Sequence, residues 1–373
     1  MLLNMANRQI KLCVIVHALL FTVSCQNTKP AHIIKFEPAD GLDALMQHVE
    51  YIDVVPLQND GEHYIGANPE LLIYEDSYIV TDIFNQRIYR YSGDGKFLNQ
   101  IGRKGNGPTE YQTIADIQLL PDGVLNVYSQ PDKVHSYTME GDHISDISLV
   151  DFGMQVYHTD EEYLVYYGNG TGRDSRLSLI EGENLNTLLE GTDKVLHYTS
   201  NSPVFSLNYD NSIAIIDSYN PIIYKYVDGK LTEYLEFDFN DTAVPSDYYE
   251  QESPFAAAKF LLSRDFSMIR RYFESEKYKF VEIITNHPSS MPTFMYGLYN
   301  GDEWGWFSTG PVEERPLTAS FREIGEDDIL YAIVDPVSMS RCQPEILTKI
   351  RDSSIIGRIG QDDNYLVLKI QLK

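Results

Sequence analysis

From about residue 49 onward, hydrophobic and polar residues alternate in short runs that end at glycine, aspartate or asparagine. This pattern is typical of antiparallel β-strands joined by tight turns. The first four runs are Glu70–Tyr74, Tyr78–Thr81, Arg87–Tyr91 and Phe97–Ile101. Together they predict one four-stranded unit of about 40 residues.

The same unit recurs along the chain. A second unit is predicted over residues 114–149, a third over 155–189 and a fourth over 204–237. Four-stranded units of this size match the blades of a propeller, whose hydrophobic faces are buried only when neighbouring blades stack.

The last two units complete the count of six. The fifth is predicted from strands at Tyr278–Thr285, Thr293–Tyr299, Gly305–Ser308 and Ala319–Ile324. The sixth contains Ile329–Val334 and Tyr365–Leu372, and Val49–Leu57 is the candidate strand that completes it, because propellers commonly join their two termini in one blade. The sequence therefore predicts an all-β fold, a six-bladed β-propeller of four-stranded antiparallel blades.

Between about residues 245 and 277 the hydrophobic period changes. Phe255–Leu262 and Phe266–Phe273 both have the spacing of helices. A helical insertion before blade five is therefore predicted over this segment, capping one face of the propeller.

The first 24 residues have the pattern of a signal peptide. Arg8 and Lys11 precede an apolar stretch over residues 12–23, which is too short to span a bilayer as a mature helix. The stretch ends at Thr22-Val-Ser-Cys25, which resembles the lipobox of bacterial lipoproteins. That resemblance implies that Cys25 is acylated and becomes the first residue of the mature chain. A secreted protein with an incidental cysteine is the alternative.

The predicted organisation has three parts. Residues 1–24 are the signal peptide, residues 25–32 form a lipid-anchored tether, and residues 33–373 form the propeller. In some diderm bacteria, an acidic cluster after the lipidated cysteine resembles a tag for surface export. The tether carries no such cluster. We therefore expect a lipoprotein of the cell envelope that faces the periplasm rather than the cell surface.

The charge of the chain narrows the range of partners. Lys and Arg number 29 against 55 Asp and Glu, which gives a net charge of −26. A field of this sign repels nucleic-acid phosphates and anionic lipids, so nucleic acid is not expected as a partner and the membrane is contacted only through the lipid anchor. Neutral, cationic and metal-bridged ligands are compatible with this charge.

The most distinctive motif is Ile101-Gly-Arg-Lys-Gly-Asn-Gly-Pro-Thr-Glu-Tyr111, at the passage from the first blade to the second. Its glycines permit positive φ, Pro108 fixes the exit, and Glu110 and Tyr111 are expected to dock the passage onto the next strand. The residues assigned to this inter-blade crossing are Gly102, Arg103, Gly105, Gly107, Pro108, Glu110 and Tyr111. A phosphate-binding loop is not predicted, since Gly-Lys-Ser/Thr is absent.

The crossing resembles those of NHL-type propellers and of the six-bladed, TolB-like propeller lipoproteins of diderm bacteria. This resemblance implies architecture much more than chemistry. NHL-like propellers bind proteins, RNA or small molecules through loops on one face, and the negative charge disfavours RNA.

Residues that could carry chemistry are scattered along the sequence. The histidines form no His-x-x-x-His or His-Glu-x-x-His pair, so zinc receives little support. Propeller hydrolases and lactonases bind calcium through acids from several blades, and Asp82, Asp116 and Asp217 are candidates, with turn capping as the alternative. No Gly-x-Ser-x-Gly motif is present.

Aromatic residues suggest a binding surface. Tyr248 and Tyr249 lie in the predicted insertion, and Trp304 and Trp306 lie in the fifth unit. Flat aromatic faces bind sugars or peptides, although alternation such as Trp304-Gly-Trp306 also serves blade packing.

The functional prediction is a monomeric, envelope-anchored propeller with a noncatalytic binding or scaffolding role toward an unknown protein, peptide or glycan. The alternative is a propeller hydrolase acting on glycans or lactones, with calcium as the one cofactor considered. Convergent acids at the central channel would favour the enzyme.

Overall fold

The computed structural model describes residues 32–130, 132–151, 153–159, 162–168, 172–191, 203–217, 219–309, 320–325 and 327–373. Over these residues, 25 β-strands and four short α-helices follow one another along the chain. The N-terminal segment contains β1 (His32–Lys35), α1 (Asp43–Met46) and β2 (Val49–Pro56).

The strands of the first three blades are β3 (Glu70–Tyr74), β4 (Ser77–Asp82), β5 (Arg87–Ser92), β6 (Phe97–Gln100), β7 (Asp116–Leu119), β8 (Leu125–Ser129), β9 (Lys133–Tyr137), β10 (His143–Ser148), β11 (Gln155–His158), β12 (Tyr163–Tyr166), β13 (Ser175–Glu181) and β14 (Asn184–Glu190). Each blade is a sheet in which consecutive strands pair antiparallel.

The remaining elements are β15 (Phe205–Leu207), β16 (Ile213–Ile216), β17 (Ile222–Val227), β18 (Lys230–Asp238), α2 (Pro254–Leu262), β19 (Phe266–Glu274), β20 (Lys279–Asn286), β21 (Thr293–Tyr299), β22 (Trp304–Ser308), β23 (Ser320–Ile324), β24 (Ile329–Val334), α3 (Pro336–Ser340), α4 (Pro344–Leu347) and β25 (Leu366–Leu372). Short 3-10 turns lie at Asn240–Thr242, Ser246–Glu250 and Ser353–Arg358.

These strands form six sheets, and the predicted six-bladed propeller of four-stranded antiparallel blades is confirmed. The first strands of neighbouring blades contact one another, as β19 does with β23 and β23 with β3, so the first strand of each blade lies at the central axis. In blades one to five, the second, third and fourth strands follow outward in chain order.

The ring closes as the sequence predicts. β2 pairs antiparallel with β25, and the sixth sheet has the order β2-β25-β24-β23. One terminal segment therefore supplies the outer strand of a blade whose other strands come from the opposite end of the chain. The same segment makes an unpredicted contact, because β1 pairs in parallel with β18 and adds a fifth strand to blade four.

The predicted helical insertion over about 245–277 is only partly right. Helix α2 covers Pro254–Leu262, and Ser253 caps it by accepting the N–H of Ala256. Phe266–Phe273 is not a helix but lies in β19, the axial strand of blade five. Consequently Ser320–Ile324 of the strand predicted for blade five is β23, the axial strand of blade six.

A β-bulge explains the error. The register of β19 on β20 shifts between Ile269 and Arg271, so one extra residue breaks the two-residue alternation and produces spacings of three and four. Most of the strand is also buried on both faces, which removes the polar positions that would mark a strand.

A second helical segment was not predicted. Helices α3 and α4 lie in the connection between β24 and β25. Asp335 caps α3 by accepting the N–H of Ser338 at 2.9 Å, and Pro336 follows at the first helical position. Asp-Pro is a standard helix start, so this signal was present in the sequence.

The hydrophobic core lies between blades. Ile79 and Ile88 of blade one form one buried cluster with Leu125 and Val127 of blade two. Each blade thus buries its faces only against its neighbours, and the loss of any blade would expose two of these clusters.

Asn364 links the closing blade to the first one. Its side chain, 1% exposed, accepts the N–H of Ile65 at 2.9 Å and donates to the carbonyls of Gln58 at 3.1 Å and His63 at 2.9 Å. One buried amide therefore satisfies three backbone groups of the connection between β2 and β3.

We predict that Asn364→Ala lowers the free energy of unfolding by about 3 kcal/mol, because it leaves buried backbone groups without partners. Chemical denaturation followed by circular dichroism measures this change. The control is Asn59→Ala, whose exposed amide donates to the carbonyl of Asp362, with an expected loss below about 1 kcal/mol. Equal losses in both variants would contradict the assigned role.

Candidate functional site

The inter-blade crossing folds back on itself between β6 and β7. The N–H of Tyr111 donates to the carbonyl of Arg103 at 3.2 Å, and the N–H of Gly105 donates to the carbonyl of Tyr111 at 3.0 Å. The ring of Tyr111 is fully buried, and its hydroxyl donates to the carbonyl of Gln86 at 3.2 Å. Tyr111 therefore holds the end of the crossing against the connection between β4 and β5 of blade one.

Of the three glycines of the crossing, one has the predicted positive φ and the other two serve a different purpose. Only Gly102 has a positive φ, of 57°. At Gly105 a Cβ would lie 1.8 Å from Oε2 of Glu110, and at Gly107 it would lie 3.0 Å from the same carboxylate. Gly105 and Gly107 therefore leave room for the Glu110 side chain rather than permitting a left-handed turn.

Glu110 organises the loop that these glycines open. Its Oε2 accepts the N–H of Gly107 at 2.8 Å, and its Oε1 lies 2.8 Å from Nε of Arg103. Arg103 itself is largely exposed, so the ion pair contributes little to stability. The hydrogen bond from Gly107 holds Pro108 and the rest of the loop tip in place.

A pocket of about 220 Å³ lies beside the crossing. One wall is the crossing itself, and the opposite wall is the turn between β8 and β9. The side chains that line it are mostly polar and include Asn106, Pro108, Glu110, Gln112, Ser129, Gln130, Asp132, Lys133 and His135. We refer to this cavity as the crossing pocket.

Hydrogen bonds fix the two walls of the crossing pocket against each other. The hydroxyl of Ser129, which is buried, accepts the N–H groups of Gln112 and Thr113, both at 3.2 Å. The side chain of Gln112 donates to Oδ1 of Asn106 at 3.4 Å. Asn106 and Gln112 are exposed, so both amides are available to a ligand.

The central axis carries a charged cluster that joins three blades. Glu70 of blade one contacts Arg271 of blade five at 2.7 Å and Arg322 of blade six at 3.1 Å. Although burial acts to raise it, the two guanidiniums hold the pKa of Glu70 at about 2. Burial and the neighbouring Arg271 lower the pKa of Arg322 to about 9. Glu70 is therefore an ionised structural partner of both arginines.

The three aspartates considered for calcium lie at separate places. Asp82 accepts the N–H groups of Gly66 at 2.7 Å and Asn85 at 2.9 Å, which is turn capping. Asp217 is fully buried against Arg176 at 2.6 Å. Asp116 accepts the N–H of Ile117, and burial raises the pKa of its carboxyl to about 7.

The structure does not gather these aspartates into one site. Among the described residues, the one group of three histidine or acidic side chains close enough to share a metal ion is His135, His143 and Asp146. This group was not predicted from the sequence, because its members are eight and three residues apart, which matches no standard spacing of metal ligands.

The four aromatic residues proposed as a binding surface also lie apart. Tyr248 is 2% exposed and packs with Tyr249 in the cluster around α2. Trp306 is 7% exposed and Trp304 is half-buried, and both pack in the cluster between blades four and five. The ring of Phe36 covers Trp306 at 5.0 Å. The two pairs therefore do not form one exposed surface.

Cys25, the predicted lipidation site, lies outside the described residues, as do the signal peptide and most of the tether. Within the described residues, no helix has both the length and the apolar character needed to cross a membrane.

We predict that Gly105→Ala lowers the free energy of unfolding by about 1 to 2 kcal/mol, because the new methyl group displaces the Glu110 carboxylate from the N–H of Gly107. In a Glu110→Ala background, the same substitution should lower the free energy of unfolding much less, because the side chain that the new methyl group would displace is absent. Gly357→Ala, where nothing lies within 4 Å of the added Cβ, is the control. Additive effects at Gly105 and Glu110 in denaturant unfolding would contradict this account.

Solved structures share the fold of this chain. A Bacteroides fragilis protein provisionally named an exported protein is 18% identical with a TM-score of 0.75, and the match covers 91% of this chain and 99% of that one. A member of the DUF4221 family from Bacteroides vulgatus is 11% identical with a TM-score of 0.57, over 87% of this chain and 97% of that one. At these identities the likeness shows the fold alone.

The family assignment comes from the sequence. No curated protein matches this chain. The model of one family matches residues 31–313, which is most of the chain and includes the crossing and blades one to five. The chain therefore belongs to the family DUF4934, a domain of unknown function.

Proposed function

We propose that this protein is an envelope-anchored propeller that binds a neutral sugar residue, noncatalytically, in the crossing pocket. The observation that carries the proposal is the pocket itself, a concave site of about 220 Å³ between two walls that hydrogen bonds hold together.

The lining of the pocket favours a ligand with many hydroxyl groups. Asn106 and Gln112 each offer an amide that both donates and accepts, and Glu110 and Asp132 offer carboxylate oxygens that only accept. A hydroxyl group donates and accepts in turn, so a sugar ring satisfies such a mixture better than an apolar group does. Peptides are the other ligand class that the sequence left open.

Size and charge point in the same direction. The pocket is smaller than the roughly 300–1,000 Å³ typical of sites for drug-sized ligands, which favours one sugar residue over a long oligosaccharide. Two acidic side chains and one lysine line it, in a chain whose net charge is −26. An anionic ligand would be repelled, so a neutral sugar is favoured over a phosphorylated or sulfated one.

The rigidity of the crossing supports binding. Tyr111 anchors one end of the loop, and Glu110 fixes its tip through the N–H of Gly107. A site that is already ordered loses less conformational entropy when a ligand binds.

A hydrolase with acids at the central axis is the alternative. Two of these acids already have cationic partners, since Glu70 pairs with Arg271 and Arg322 and Asp217 pairs with Arg176. Asp116 on β7 and Glu323 on β23 form no ion pair among the described residues, and burial raises the pKa of each carboxyl to about 7. The hydrolase alternative therefore depends on Asp116 and Glu323.

The envelope anchor is part of the proposal. It is supported by the lipobox-like sequence at Cys25 and by the exported name of the Bacteroides fragilis relative. We predict that Cys25→Ala moves the protein from the membrane fraction to the soluble fraction of expressing cells, because the acyl chains supply the membrane affinity. Cell fractionation with immunoblotting measures this, and unchanged membrane retention would refute the anchor.

The binding role is tested with a panel of neutral mono- and disaccharides and isothermal titration calorimetry on the full-length chain in detergent. Asn106→Ala combined with Gln112→Ala should weaken binding of the best sugar at least tenfold, because two side-chain hydrogen bonds are lost. Gln47→Ala, an exposed amide on the N-terminal segment, is the control and should bind as the unaltered protein does.

Two results would refute the binding role. One is a folded protein that binds no sugar in the panel, and the other is equal affinity in the pocket variant and in the control. Recovery of the disaccharide unchanged after incubation is expected of a binding protein, whereas cleavage would favour the hydrolase.

A further inference from the structure

We propose that His135, His143 and Asp146 form a binding site for a divalent transition metal, with Zn²⁺ as the expected ion. The three side chains lie on the two outer strands of blade two. Nδ1 of His135 is 2.8 Å from Oδ1 of Asp146, and Nε2 of His143 is 2.6 Å from the same oxygen. All three ligand atoms lie within 4.8 Å of one another.

The sheet places these residues on one face. His135 of β9 and Asp146 of β10 are directly opposite each other in the antiparallel register. His143 is three residues before Asp146, a separation that would place it on the opposite face of a regular strand. The register shifts between His143 and Ser145, and this bulge returns His143 to the face of Asp146.

The ligand set selects the class of metal. Two imidazole nitrogens and one carboxylate oxygen match the three protein ligands of open zinc sites, in which water or a ligand takes the fourth position. Calcium and magnesium prefer oxygen ligands throughout, so a site with two histidines disfavours them.

The present distances require a small adjustment. In a tetrahedral zinc site with bonds of about 2.0 to 2.1 Å, neighbouring ligand atoms are roughly 3.3 Å apart. The two nitrogens would therefore move away from Asp146 by about half an ångström, which side-chain rotation supplies. When the metal binds, each of the two histidine nitrogens gives up its hydrogen bond to Asp146 and instead offers a lone pair to the metal.

Burial and charge suit a metal site. The side chain of His135 is 4% exposed, whereas those of His143 and Asp146 are 18% and 29% exposed, so an ion can enter from solvent and keep one open position. Among the ion pairs of the described residues, Asp146 pairs with these two histidines alone.

A simpler arrangement elsewhere in the protein provides a comparison. His63 contacts Asp60 at 2.7 Å, which is a histidine–aspartate pair with no second histidine. If His135, His143 and Asp146 were only a set of hydrogen-bonded side chains, substitution of His143 and substitution of His63 would change Zn²⁺ binding equally.

The metal site is tested by calorimetric titration of the full-length chain in detergent with Zn²⁺ at pH 7.5. We expect one Zn²⁺ per chain and a rise in the thermal midpoint on binding. His143→Ala and Asp146→Asn should each weaken binding at least tenfold, because each removes one of three ligands. His63→Ala is the matched control and should bind Zn²⁺ as the unaltered protein does.

Two further readouts keep the test decisive. Co²⁺ in place of Zn²⁺ should give the intense visible bands of a tetrahedral ion, and these bands should be absent from His143→Ala. The affinity should fall as the pH is lowered, because protons compete with the metal for the lone pairs of the imidazoles. Circular dichroism confirms that each variant is folded.

His135 also lines the crossing pocket, whereas His143 and Asp146 do not. The metal proposal does not rest on sugar binding, because the titration contains no sugar and the variants change only His143 and Asp146. No stoichiometric Zn²⁺ binding by the unaltered protein would overturn it. So would equal loss of Zn²⁺ binding in His63→Ala and His143→Ala, since the ion would then bind to histidine–aspartate pairs in general.

Discussion

The whole fold depends on one set of backbone hydrogen bonds, the pairing of β2 with β25. Every blade buries its hydrophobic faces against its two neighbours, so a ring with an open seam would expose the cores on both sides of the gap. The pairing joins residues 49–56 to residues 366–372 and brings blade six against blade one. Among the described residues it is the strand pairing with the largest separation in sequence, and the stability of all six blades depends on its formation.

Polar side chains reinforce the boundaries that the hydrophobic clusters define. Glu70 joins blade one to blades five and six through Arg271 and Arg322, and Asp217 of blade four pairs with Arg176 of blade three. Loss of one member of such a buried pair typically costs about 3 to 5 kcal/mol, because the remaining charge is left without compensation. The axis is therefore more constrained than the outer loops, and a ligand site at an outer inter-blade crossing can vary without loss of the fold.

The sequence was sufficient for the fold but not for the site. The alternation of hydrophobic and polar residues predicted the six blades, because strands have a local two-residue period. The position of the terminal strands predicted the closure, because propellers commonly join their two ends in one blade. The prediction was wrong at β19, where the bulge before Arg271 shifts the period, and it did not include the pairing of β1 with β18. The crossing pocket was not predicted, because Glu110 lies in the crossing motif whereas Ser129 comes from the end of β8. His135 and Asp146 meet only through the register of two strands, which spacing alone does not specify.

The parallel pairing of β1 with β18 has a mechanical consequence. Any tension that reaches the chain from residues before His32 acts first on β1, whose four residues pair along blade four. The contacts that follow include the ring of Phe36 against Trp306 of blade five and the hydrogen bond from the N–H of Ser308 to the carbonyl of Gly41. Only then comes β2 in blade six. Force directed along paired strands must break several hydrogen bonds together rather than one at a time. The N-terminal segment therefore bears a force from the N-terminal side before the pairing of β2 with β25 does, and this protects the closure of the ring.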